Sequence, residues 1–169
     1  MTAFETYLDG LRGKRVAVIG AGVSNMPLIE RLRAAGLSVT VHDKKTASAL
    51  ESQYDALTGL GAELVLGEHY LDDLPEDVIF RTPGVHPKHP ALCAARERGS
   101  LVTSEMELFF ELCPCPIIGI TGSDGKTTTT TLVYEILNRA GHTVHLGGNI
   151  ARPLLPDVEQ ITPEQLAVV

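Results

Sequence analysis

Residues 116–128 read PIIGITGSDGKTT, and the rest of the chain is placed by them. The apolar run from Pro116 to Ile120 reads as a buried strand. Residues 129–140 carry Leu132, Val133, Ile136 and Leu137 at helical spacing. Between the two lies a glycine-rich turn closed by Lys126 and Thr127. Strand, turn, lysine, hydroxyl and helix are the physical recipe for cradling a nucleotide triphosphate. Glycines let several backbone N–H groups face one anion, the helix N-terminus adds a partial positive charge, and Lys126 adds a full one. The Thr127 hydroxyl is of the kind that ligates Mg²⁺. One irregularity stands out. The general pattern wants glycine where Ile120 stands, and Gly119 and Gly122 flank that position instead. The plainer alternative is a strand–helix turn with a solvated lysine.

Upstream, Arg15-Val-Ala-Val-Ile19 is a short run rich in β-branched residues, as in a buried parallel strand. Gly20-Ala-Gly22-Val-Ser24-Asn25 follows. A helical pattern then runs through Leu28, Ile29, Leu32 and Ala35, stopped by Gly36. Ser38 to His42 is the next strand, ending at Asp43, which completes a βαβ unit. Its glycines meet the dinucleotide fingerprint in part. Gly20 and Gly22 are present, Asn25 takes the third position, and Asp43 stands near where an acid receives a ribose hydroxyl.

Residues 47–60 read as a second helix closed by Gly61, Glu63 to Leu66 as a third strand and Val78 to Phe80 as a fourth. The fourth runs into Thr82-Pro83-Gly84, a turn that exposes backbone at the carboxyl edge of the sheet, where ligands gather in open α/β folds. Residues 90–98 read as a helix and Leu101 to Thr103 as a fifth strand. Ser104-Glu-Met-Glu107 has the capping-box pattern and opens a helix to Leu112. Cys113-Pro-Cys-Pro116 then breaks helix and sheet alike, which sets the expected domain boundary. In the second unit Thr143 to Leu146 reads as a strand before Gly147-Gly-Asn149, and residues 162–165 as one helical turn. Leu166 to Val169 reads as the start of a buried strand. About two strands would leave a sheet uncovered, so the chain reads as a fragment of a longer protein.

Composition narrows the classes. The chain has 169 residues, 44% hydrophobic and 21% charged, no Trp and 5% aromatics. That fits an aliphatic sheet covered by helices on both faces. The net charge of -7 argues against a nucleic-acid partner or a membrane-surface role. No apolar run suits a signal peptide or a membrane span, which makes the cytoplasm the expected compartment. Cys93, Cys113 and Cys115 lack zinc spacing and read as small thiols in a reducing compartment. His86-Pro-Lys-His89 reads as a solvated loop, and His142 and His145 as surface or supporting residues.

Two mononucleotide-type units in series, the second carrying Thr-Gly-x-Asp-Gly-Lys-Thr-Thr, resemble the N-terminal part of the Mur ligases. The D-glutamate-adding branch is the nearest likeness. The resemblance is carried by Gly20-Ala-Gly22, Asp43, Thr82-Pro-Gly84-Val-His86-Pro87, Ser104 to Glu107, Gly122 to Thr128 and Gly148-Asn149-Ile150. It implies an α/β fold: a Rossmann-like parallel-sheet domain over residues 1–112, then the beginning of a P-loop domain over 113–169. It implies an ATP- and Mg²⁺-dependent amide ligase of peptidoglycan precursor synthesis, a monomer, adding D-glutamate to UDP-N-acetylmuramoyl-L-alanine through an acyl phosphate. By position, Gly22, Val23, Ser24, Asp43, Lys44, Thr82 and Gly84 would line the uridine diphosphate site, and Asn149 would contact the muramoyl substrate. Ser123, Asp124, Gly125, Lys126, Thr127, Thr128 and Thr129 would wrap the ATP phosphates, with Lys126 on the transferring phosphate and Thr127 on the metal. Asp124 stands where several relatives carry Asn, and Ala151 where glycine often follows. The acidic metal ligand, the histidine, the modified lysine and the domain that binds D-glutamate would lie beyond Val169. The 169-residue chain alone is therefore expected to form no amide bond. The other readings are an L-alanine-adding relative, a NAD-dependent oxidoreductase and a non-catalytic nucleotide sensor.

Overall fold

The computed structural model describes residues 1–22, 25–148 and 153–169. It divides into two compact units, Met1–Glu105 and Met106–Val169. The first is a five-stranded sheet in the order β3-β2-β1-β4-β5, built from β1 (Arg15–Ile19), β2 (Ser38–Asp43), β3 (Glu63–Leu66), β4 (Val78–Phe80) and β5 (Leu101–Thr103). Every pairing is parallel, with Val16 opposite Val39 on one side and Val78 on the other. The central strands are apolar on both faces because helices cover both; Val16, Ala17, Val18 and Ile19 are fully buried. Leu28, Ile29 and Leu32 of α2 (Met26–Ala34) are buried, as are Leu92 and Ala95 of α5 (Pro90–Glu97). The chain runs outward through β1, β2 and β3, then crosses to β4 on the opposite side of β1. That reversal opens a crevice at the carboxyl ends of β1 and β4.

The second unit is a three-stranded parallel sheet, order β6-β8-β7, from β6 (Ile117–Ile118), β7 (Val144–Leu146) and β8 (Leu166–Val168). The last strand lies in the middle. Leu166 to Val168 form the buried strand expected there and pair on both sides, giving three strands where about two were expected, which is why Ala167 and Val168 are fully buried. Helix α6 (Glu105–Leu112) precedes β6 in the chain, and helix α7 (Lys126–Arg139) packs against β7 and β8. The fold is α/β with parallel sheets in both units, as the strand pattern implied.

Several elements differ from the sequence reading. A helix α1 (Ala3–Asp9) was not foreseen, although its Thr2–Glu5 capping box is present in both directions and Phe4 and Leu8 anchor it in the core. The helix expected over 47–60 is two pieces, α3 (Ala47–Leu50) and α4 (Ser52–Gly59), separated by Glu51 at φ 50°. No glycine or proline marks that break. Helix α7 starts at Lys126 rather than 129, because Gly125 at φ 71° turns the chain straight into it. Its apolar positions divide: Val133 and Leu137 are half-buried beside buried Thr130, whereas Leu132 and Ile136, about 100° around the helix, are 58% and 57% exposed. Residues 163–165 form a turn instead of a helix, and a 3₁₀ helix spans Leu155–Gln160. Among the described residues no helix is long and apolar enough to cross a membrane.

Left-handed backbone costs a residue with a Cβ more than it costs glycine, so Glu51→Gly is expected to stabilise the first unit by up to about 1 kcal/mol. A urea unfolding midpoint that fell would show that Glu51 is held there by contacts worth more than the strain.

Candidate nucleotide site

The crevice at the carboxyl edge of the first sheet holds a cavity of about 280 Å³. Its walls come from the ends of three strands. Ile19 ends β1 and Gly20 and Gly22 follow it, Asp43 ends β2 and Lys44 follows it, and Thr82, Gly84 and Val85 follow β4. The sequence-derived residues Gly22, Asp43, Lys44, Thr82 and Gly84 thus meet in one place. Val23 and Ser24 lie outside the described residues. Larger depressions of about 470 and 460 Å³ open elsewhere. One of them, around Arg15, Asp77 and Gly99, lies at the amino ends of the strands, where no backbone turn faces a ligand.

The turn after β1 is shaped by two side chains. Gly20 adopts φ +88°, a conformation that favours glycine, and a Cβ there would make an ordinary contact with the Thr82 side chain at 3.4 Å. Asn25 (5% exposed) donates from Nδ2 to the Ile19 carbonyl at 3.0 Å and the Gly20 carbonyl at 2.9 Å. At the third fingerprint position the chain therefore has a strut in place of a close helix–strand contact. Asp43, 8% exposed, accepts from the Ala21 amide through Oδ2 at 2.7 Å and from the Lys45 amide through Oδ1 at 2.8 Å. Its carboxylate joins the β1 turn to the β2 turn and keeps lone pairs toward the cavity. Lys44 and Lys45, both exposed, place two ammonium groups at the rim of an otherwise acidic chain. An apolar wall, a buried carboxylate and two rim lysines suit a nucleoside with attached phosphates.

Two lining residues went unread in the sequence, Lys45 and Tyr70. Lys45 had a signal, a second cation directly after Asp43-Lys44. Tyr70 lies in the connection from β3 to β4, residues 67–77, which contains no helix. Beneath it is a buried pair. His42, 1% exposed, directs Nδ1 at the Tyr70 carbonyl at 2.8 Å and Nε2 at Glu76 Oε1 at 3.1 Å, and Glu76 is 4% exposed. Burial pushes the Glu76 carboxyl up, but the hydrogen bond and charge of His42 outweigh this and hold it below its ordinary 4.5.

In the second unit the phosphate-loop residues meet at one helix end. Gly125 caps α7, Lys126 is its first residue, and the Lys126 ammonium is held by the carbonyls of Gly122 and, at 3.1 Å, Ser123. Asp124, Thr127, Thr128 and Thr129 are exposed around it. The Thr130 hydroxyl turns inward to the Lys126 carbonyl at 2.8 Å. Ile120 now has a physical account. Its amide pairs with the Val169 carbonyl at 2.8 Å, so the position extends the β6 ladder and needs no glycine. On the other side of β8, Gly147 pairs its amide with the Val168 carbonyl at 3.1 Å, and it is required to be glycine because a Cβ there would meet Leu154 at 2.2 Å. Asn149 lies outside the described residues. Among the described residues no cluster of three or more His, Cys, Asp or Glu could hold a metal; the Thr127 hydroxyl, exposed at the helix start, fits a Mg²⁺ shared with phosphate oxygens. Burial, and Cys113 beside it, push the Cys115 thiol up to about 12, the reverse of a reactive thiolate.

Removing the strut leaves two carbonyls short of a donor, so Asn25→Ala is expected to cost about 1–3 kcal/mol in chemical denaturation, with Asn25→Asp no better. Glu76 titrates lower folded than unfolded, so the stability it lends is complete above the unfolded value and is lost as pH falls through the folded one. Unfolding midpoints should therefore drop as the pH is lowered through and below 4.5, and this drop should shrink in Glu76→Gln.

Residues 14–104 match the family model for the Mur ligase MurD-like N-terminal domain, and residues 120–168 that for the Mur ligase middle domain. A UDP-N-acetylmuramoylalanine--D-glutamate ligase of Clostridium tetani is 47% identical over 167 residues, covering 98% of this chain and 36% of that protein. A ligase of the same name from Clostridium botulinum strain Okra is 48% identical with the same coverage. The chain thus spans about a third of the length of these relatives, 36%. Among solved structures, a pseudomurein peptide ligase type C from Methanothermus fervidus aligns at 26% identity and a TM-score of 0.49, over 93% of this chain and 32% of that one. By its MurD-like first domain and its middle-domain loop, the chain belongs to the Mur ligase family.

Proposed function

We propose that the chain is the substrate- and phosphate-binding portion of an ATP-dependent amide ligase that adds D-glutamate to UDP-N-acetylmuramoyl-L-alanine in peptidoglycan precursor synthesis. The observation that carries this reading is the presence in one chain of two unlike sites suited to phosphate-bearing ligands. One is the β1–β2–β4 cavity with its buried Asp43 and rim lysines; the other is the glycine-capped N-terminus of α7 with Lys126. A NAD-dependent oxidoreductase has no use for the second. Residues 1–112 serve as the UDP-substrate domain and 113–169 as the opening of the ATP domain, in a monomeric cytoplasmic enzyme.

In this reading Gly22, Asp43, Lys44, Thr82 and Gly84 hold the uridine diphosphate end, joined by Val23 and Ser24. The Asp43 carboxylate receives a donor of the nucleoside, and the rim lysines balance the diphosphate. Asn149 contacts the muramoyl portion. When bound, ATP with Mg²⁺ would phosphorylate the alanine carboxylate to an acyl phosphate and leave as ADP, and the D-glutamate amine would attack the acyl carbon, expelling inorganic phosphate and forming the amide. Ser123, Asp124, Gly125, Thr128 and Thr129 wrap the phosphates, and Thr127 offers its hydroxyl to the metal. Lys126 has the central part: an ammonium fixed at the positive end of a helix opposes the negative charge spread over the transferring phosphoryl group.

In the full-length enzyme, Lys126→Ala is expected to lower the ligation rate by at least about 100-fold, the size of effect seen when one fixed donor to a charged transition state is removed. Affinity for the UDP-substrate, measured by calorimetry, should stay within a factor of about two because Lys126 belongs to the other site. Ligation near the wild-type rate would remove the loop from the chemistry.

A further inference from the structure

The connection from β3 to β4 is where a doubly wound sheet ordinarily places a helix, yet residues 67–77 form turns and extended chain. Such a segment has no helical ladder of its own to hold its shape. It is fixed at its start by the Gly67 amide on the Asp43 carbonyl at 2.9 Å. Further along, one imidazole clips it twice. His42 Nδ1 faces the Tyr70 carbonyl at 2.8 Å and His42 Nε2 faces Glu76 Oε1 at 3.1 Å. Both partners present oxygen acceptors to the ring nitrogens. A buried polar pair of this kind is weak evidence for stability, because apolar side chains of similar volume would serve as well. Its geometry points to placement instead. The residue it places, Tyr70, packs on the core cluster of Ala17, Ile19 and Val85 and lines the cavity beside Asp43.

We propose that Tyr70 is the platform on which the base of the bound nucleotide stacks, and that His42, braced by Glu76, is a positioning residue that sets the height of that platform. The proposal rests on the cavity being the uridine diphosphate site. Tyr70 is the aromatic side chain among those lining the cavity, and its inner side is already supported by the core. A flat face beside a buried carboxylate gives one contact for the pyrimidine ring and one for its polar edge. His42 sits one residue before Asp43 on β2, so a single strand end fixes the height of the platform and the carboxylate together.

The test uses the full-length enzyme, with UDP and ATP titrated separately by calorimetry, and the unfolding midpoint and steady-state kinetics recorded for each variant. Tyr70→Ala should weaken UDP roughly tenfold, the typical loss of one base–aromatic stack, while Tyr70→Phe and ATP affinity stay near wild type. The KM for the UDP-substrate should rise with kcat held. The two contacts of the imidazole can be separated. His42→Gln keeps a donor for Glu76 and loses the one for Tyr70, so it should weaken UDP. His42→Asn combined with Glu76→Leu keeps the donor to Tyr70 and leaves no buried charge, so it should preserve UDP binding. If wild-type enzyme binds UDP and Tyr70→Ala binds it equally, the platform is overturned. If UDP affinity follows the unfolding midpoint across the His42 variants instead of the Tyr70 contact, His42 is structural only. A wild-type enzyme that binds no UDP overturns the reading of the cavity and this inference with it.

Discussion

The first unit depends on a carboxylate that ties two turns together. Asp43 accepts from the Ala21 amide after β1 and from the Lys45 amide after β2, at 2.7 and 2.8 Å. A parallel sheet brings these two strand ends side by side, but nothing in a sheet ladder joins the turns that follow them. Asp43 supplies that junction from a site only 8% exposed, where an ionised group needs hydrogen bonds to be tolerated at all. Asn25 works on the same turn from the other side by satisfying the last carbonyls of β1. The cavity opens beside Asp43, against Thr82 and Gly84.

This alters what the glycine pattern means. A third glycine at position 25 would let α2 settle close against β1. Asn25 instead fills that place and bonds to the carbonyls of Ile19 and Gly20, which departs from the tight glycine packing of a dinucleotide fingerprint. In the second unit the irregularity at Ile120 resolves in the same physical way. The backbone there is already paired with Val169, and the curl that phosphates require is made by Gly122 and Gly125.

The strands, and the meeting of Gly22, Asp43, Lys44, Thr82 and Gly84 at one edge, were legible because parallel strands are short apolar runs and the polar residues that follow them gather there. Arg15–Ile19, Glu63–Leu66, Val78–Phe80 and Leu101–Thr103 fall where the sequence puts them. What escaped had no periodic signal or a misleading one. The break at Glu51 lies inside a pattern that reads as continuous helix. The placement of β8 between β6 and β7 is a non-local choice that no local pattern records. Leu132 and Ile136 sit at good helical spacing, yet they lie on the flank of α7 turned away from Thr130. Tyr70 and His42 escaped because their partners are 28 residues apart in sequence and meet only in the fold. The α1 capping box, by contrast, was plainly written in Thr2 and Glu5.

The account stands on the β1–β2–β4 cavity being a uridine diphosphate site within an amide ligase. Its most direct test is calorimetric titration of the full-length enzyme with UDP and, separately, with NAD⁺. Saturable binding of UDP that is abolished by prior saturation with UDP-N-acetylmuramoyl-L-alanine, with no heat from NAD⁺, is the predicted result. Binding of NAD⁺ in competition with UDP, or UDP binding indifferent to the muramoyl substrate, would contradict it.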